Sequence, residues 1–119
     1  MIEFEEYKGK LNSLKPTLDG LREALHLEPA EKEIEELEGQ SARDGFWNDV
    51  ENSQRVQKRL KQLKGKVENY QKLCSGWDDL MTLCEMAIEE DDDSMLPELQ
   101  SEFAAFEKKL EETRLGTLL

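Results

Sequence analysis

Residues 56–88, VQKRLKQLKGKVENYQKLCSGWDDLMTLCEMAI, carry Val56, Leu60, Leu63, Val67, Tyr70, Cys74, Trp77, Met81, Cys84 and Ile88, with spacings of four and three in strict alternation. One stripe of an α-helix has that spacing, because 3.6 residues per turn bring a side chain back to the same face after three or four positions. The phase is unbroken, which predicts one helix over about 49–90 rather than two helices and a loop. At 1.5 Å per residue it is roughly 60 Å long. Gly65 and Gly76 fall off the stripe and only weaken the helix locally.

On the C-terminal side, Glu89, Glu90, Asp91, Asp92 and Asp93 end this helix, because negative charge is unfavourable at a helix C-terminus and favourable at the next N-terminus. Ser94 is the expected cap of a last helix over about 95–115, with Pro97 tolerated in its first turn. Leu96, Leu99, Phe103, Phe106 and Leu110 repeat the three-four alternation. The short acidic connection predicts that this helix folds back antiparallel on the long one. The chain then ends on two apolar residues, Leu118 and Leu119, which suggests a piece of a longer protein.

On the N-terminal side, Asn48 followed by Glu51 reads as a capping box, with Phe46 or Trp47 packing back as a staple. Large aromatics in a turn either anchor the turn or present a binding hot spot, and a helix starting directly afterwards favours anchoring. Ser41 to Gly45 has turn chemistry. Before it, residues 30–41 carry only Ile34 and Leu37 on an apolar side and predict a short helix lying on a larger surface. Phe4, Tyr7, Leu11, Leu14, Leu18, Leu21 and Leu25 predict a first helix over about 3–26. Pro16 inside it implies a bend or a restart, and the preserved phase favours the bend.

These elements define an all-α fold: an elongated antiparallel helical bundle with coiled-coil-like packing around one long central helix, read as a single domain over residues 1–119. The 37% hydrophobic residues can fill seams between helices but not a thick centre. With 37% charged residues and a mean hydropathy of −0.77, no apolar run approaches the roughly 20 residues that span a bilayer. A soluble cytoplasmic protein with no membrane partner is expected, and reduced thiols at Cys74 and Cys84 fit it.

The net charge of −12 repels phosphate backbones and favours a basic protein partner over nucleic acid. Arg55, Lys58, Arg59, Lys61, Lys64 and Lys66 form a local basic stripe, read as a solvated helix face. Catalysis is not expected: the chain has one histidine, no glycine-rich phosphate loop and no nucleophile elbow. His26, Cys74 and Cys84 lack metal-ligand spacing, and the acidic run lacks the alternating ligands of a calcium loop. Neither metal nor cofactor is expected.

Three elements carry a family resemblance: Leu25-His26-Leu27-Glu28, Gly45-Phe46-Trp47-Asn48-Asp49, and Ala87-Ile88-Glu89-Glu90-Asp91-Asp92. In this order and spacing the chain resembles the N-terminal domain of the bacterial peptide chain release factor 2 family, class-1 factors of translation termination. His26 stands where that family usually has aspartate. The resemblance implies a full-length factor that acts at UGA and UAA codons and triggers hydrolysis of peptidyl-tRNA. The Ser-Pro-Phe and Gly-Gly-Gln elements that carry those activities are absent from these residues.

The part left to this domain is docking on the ribosome near the large-subunit stalk base, against a protein and adjoining RNA. The candidate contacts are His26 and the acidic tip Glu89, Glu90, Asp91, Asp92, Asp93 and Ser94. Weak self-association of the isolated piece is compatible with this reading. The alternative is a free-standing coiled-coil protein that oligomerises or captures a partner helix through its seam.

Overall fold

The apolar stripes become four helices in the computed structural model, which describes residues 2–116: α1 (Ile2–Ala24), α2 (Leu27–Ser41), α3 (Val50–Glu90) and α4 (Leu96–Gly116). Short 3-10 turns at Phe46–Asn48 and Asp93–Met95 lead into α3 and α4. The chain is an all-α helical bundle with one long central helix. The expectation drawn from Leu118 and Leu119 lies outside the described residues. By packing, the chain divides into two compact units, Arg22–Tyr70 and the residues on either side of that segment, with α3 contributing to both.

In the unit formed by residues up to Leu21 and from Gln71 on, the buried side chains are Phe4, Leu11, Leu18 and Leu21 of α1, Leu73, Leu80, Cys84 and Ala87 of α3, and Leu99, Phe103, Phe106 and Leu110 of α4. Leu11 meets Trp77 and Lys8 lies near Cys84, so α1 runs antiparallel to α3. Tyr7 packs edge-on against Phe103 at 5.0 Å, and Lys10 sits over both rings. Phe106 lies against Gly76. Two helices therefore flank this half of α3. A three-four seam is too narrow for two neighbours, so burial widens to Leu73, Leu80 and Ala87, each one residue before a seam position that is only half-buried.

In the second unit, Ala30, Leu37, Phe46, Val56, Leu60 and Leu63 form one cluster, with Ile34 and Val67 against it. The α2 stripe is Leu27, Ala30, Ile34 and Leu37, and the helix begins three residues before the expected start at 30. Pro29 does not delay it, because a first-turn residue needs no intrahelical donor. Glu33 pairs with Arg59, Glu38 with Lys64, and Lys66 reaches back to the Leu25 carbonyl. The first two contacts tie α2 to α3, and the third ties the turn before α2 to the same helix.

Helix α1 continues through Pro16 without interruption. Pro16 and Asn12, whose carbonyl loses its usual donor, are both exposed, so water can satisfy that oxygen. The α3 cap is Asp49 rather than Asn48: its Oδ1 accepts from the Asn52 N–H at 3.0 Å, and Ser53 N–H donates to its carbonyl at 2.9 Å. Asn48 belongs to the preceding 3-10 turn. No described helix is long and apolar enough to cross a membrane.

Candidate docking surfaces

His26 occupies the turn between α1 and α2 in the left-handed conformation, with φ 56° and ψ 47°. Two bonds define that turn: His26 N–H donates to Glu23 O at 3.0 Å, and Ala30 N–H donates to His26 O at 3.1 Å. Lys66 Nζ donates to Leu25 O at 3.0 Å and Arg22 pairs with Glu31 at 2.8 Å, bracing the turn from both sides. The imidazole itself is exposed. The sequence pointed to His26 but not to Lys66, which it placed in the basic stripe; a contact between residues 41 apart leaves no periodic trace.

The acidic tip is an ordered terminus. Asp91 is left-handed at φ 52°, Asp92 N–H donates to Ala87 O at 3.0 Å, and Asp91 N–H donates to Ile88 O at 3.3 Å. This pair of bonds is a Schellman closure, which satisfies carbonyls that the end of α3 would otherwise leave open. Asp92, not Ser94, is the cap of the next turn. Its Oδ1 accepts from Ser94 N–H at 2.9 Å and Ser94 Oγ at 2.6 Å, and the hydroxyl above all holds the carboxyl below its ordinary range. Glu89, Glu90, Asp91, Asp93 and Ser94 are exposed.

The structure separates the aromatic pair of the Gly45–Asn48 turn. Phe46 is buried in the α2–α3 cluster, whereas Trp47 stands on its edge, ring centres 4.9 Å apart, and remains open. Gly45 at φ 82° makes the turn. The basic stripe is largely engaged: Arg59 forks onto Glu33 at 2.7 and 2.9 Å, Lys64 reaches Glu38, Lys66 holds Leu25, and Arg55 bonds Asn52. Among the described residues, no group of His, Cys, Asp or Glu is arranged to hold a metal. The α1–α4 groove, lined by Leu14, Thr17, Ala104, Glu107 and Glu111, is open to solvent.

Exposed turns braced by buried helix seams define an all-helical module that presents surfaces at its helix ends. The chain belongs to the PCRF domain family, whose sequence profile matches residues 30–119. It is 37% identical to peptide chain release factor 2 of Acidothermus cellulolyticus over 92% of this chain and 30% of that protein. It is 33% identical to peptide chain release factor 2 of Clostridium perfringens over the whole chain and 32% of that protein. The release factor 2 of Lactiplantibacillus plantarum matches at 32% over 99% of the chain and 31% of its own length. The chain spans about a third of the length of the curated relatives it matches. These matches bear out the resemblance carried by the Leu25, Phe46-Trp47 and Ala87 elements.

Proposed function

We propose that this chain is the N-terminal helical domain of a peptide chain release factor that acts in translation termination at UGA and UAA codons. Its task is to dock the factor on the ribosome near the large-subunit stalk base. The observation that carries this reading is the PCRF match over residues 30–119, joined by release factor 2 relatives aligned along 92–100% of the chain. The net charge of −12 favours a basic protein as the main contact, with adjoining RNA secondary. His26 and the tip from Glu89 to Ser94 are the proposed contact residues, exposed except for the half-buried Asp92, and both are set in backbone geometry that offers a fixed shape.

The coiled-coil alternative loses support, because α3 already packs apolar side chains against α2 in one unit and against α1 and α4 in the other. The test is codon-dependent peptide release by the full-length protein with and without residues 1–119. The expected result is release at UGA and UAA but not UAG, with deletion raising the protein concentration needed for half-maximal rate far more than it lowers the saturated rate. Deletion that leaves the concentration dependence unchanged rejects the docking role.

A further inference from the structure

Phe46 and Trp47 are adjacent in sequence and opposite in environment. Phe46 is 8% exposed, while Trp47 keeps 61% of its surface open and Val50, the first residue of α3, keeps 62%. Phe46 alone accounts for anchoring the turn, which leaves the indole without a packing role of that kind. Its backbone is fixed on both sides: Phe46 N–H donates to Arg43 O at 3.2 Å and Asn48 N–H to Gly45 O at 3.1 Å. A held, exposed indole beside an exposed β-branched side chain has the makings of an interface anchor, since little conformational freedom remains to be lost on binding.

The surrounding charge selects the partner. From Arg43 to Glu51 the chain carries three carboxylates, Asp44, Asp49 and Glu51, against one cation, Arg43, and all three carboxylates are exposed. The nearest cation after this stretch, Arg55, is engaged with Asn52 at 2.6 Å. A phosphate backbone is repelled by such a surface, whereas a guanidinium stacks on an indole face and pairs with carboxylates. We propose that Trp47 and Val50 form a docking site for an arginine-bearing segment of a partner protein, with the flanking carboxylates supplying the counter-charge. This deepens the docking function proposed above and rests on it: at this surface the ribosomal contact is a basic protein, not RNA.

The test is binding of the 119-residue chain to purified large ribosomal subunits. Trp47→Ala is expected to weaken binding about tenfold or more, as expected for a central aromatic anchor. Asp44→Lys combined with Glu51→Lys is expected to weaken it comparably. Met86→Ala, which removes another exposed apolar side chain, in the other unit, is expected to change nothing. In parallel, Val50→p-benzoylphenylalanine is irradiated in the complex, and a covalent adduct with a ribosomal protein is the expected product. An adduct with ribosomal RNA, or Trp47→Ala binding as the unaltered chain does, overturns this site and leaves the docking function standing. Failure of the unaltered chain to bind overturns both.

Discussion

The indole Nε1–H of Trp77 donates a 2.6 Å hydrogen bond to the backbone carbonyl of Leu11, 66 residues earlier in the chain. Lys15 lies over the same ring, 4.6 Å from its centre. One side chain of α3 thereby fixes both the height and the rotation of α1. Trp77→Phe keeps an aromatic ring and deletes the donor, and is expected to destabilise the chain by about 1–2 kcal/mol, the net worth of a hydrogen bond plus a weakened cation–π contact. Urea unfolding reads this as a lower midpoint at unchanged slope. An unchanged midpoint would mean that the bond contributes nothing to stability.

The two glycines inside α3 differ in what surrounds them. A Cβ at Gly65 would meet nothing within 4 Å, whereas one at Gly76 would lie 3.4 Å from Phe106. Gly65→Ala is expected to stabilise by about 0.5–1 kcal/mol, because mid-helix glycine forfeits backbone entropy. Gly76→Ala is expected to gain less, since Phe106 must adjust. Thermal melts of the two variants, ranked against the parent, check the order.

His26 and Asp91 are the described non-glycine residues with positive φ. Each closes a helix in the left-handed region, where a Cβ is crowded, and glycine there relieves about 1 kcal/mol. His26→Gly and Asp91→Gly are each expected to raise the unfolding midpoint, while Ser13→Gly, at an exposed mid-helix position, is expected to lower it. Destabilisation by either of the first two would show that its side chain contributes more than its backbone strain takes away.

Arg59 hydrogen-bonds Glu33 and holds its carboxyl below the ordinary range, and Arg114 does the same to Glu111. A carboxyl whose folded value is depressed contributes stability that is full above its unfolded value and fades as pH falls through the folded one. Acid is therefore expected to erode these contributions from about pH 4 downward. In side-chain NMR titration, Glu33 is expected to titrate below an ordinary glutamate and to return to the ordinary value in Arg59→Ala. A Glu33 midpoint indifferent to Arg59 would remove the pair from the acid response.

The long helix was legible because its apolar phase runs unbroken from Val56 to Ile88, and helix content follows from periodicity alone. Leu73, Leu80 and Ala87 were not, because a seam read as one stripe assumes one neighbour, and the second flanking helix is a tertiary fact. The early start of α2 was hidden by Pro29, a residue that forbids helix interiors but not first turns. At the surfaces, sequence marked His26 and the acidic tip as candidates at helix ends and could not foresee the left-handed backbone at His26 and Asp91, which leaves no compositional trace outside glycine. Nor could it separate Phe46 from Trp47, since burial of adjacent aromatics is decided by which one enters the cluster between α2 and α3.

The unit that holds α1 is assembled from the two ends of the chain, residues up to Leu21 and residues from Gln71 on. During synthesis α1 emerges first, yet Trp77 and Phe103, which it packs against, follow only after the entire intervening unit has been made. At about 5–20 residues per second, the apolar face of α1 waits several seconds for its partners. The order of birth and the order of assembly are thus inverted for this helix, and the nascent chain exposes Phe4, Leu11 and Leu18 to whatever binds greasy helices at the tunnel exit until α4 closes the set.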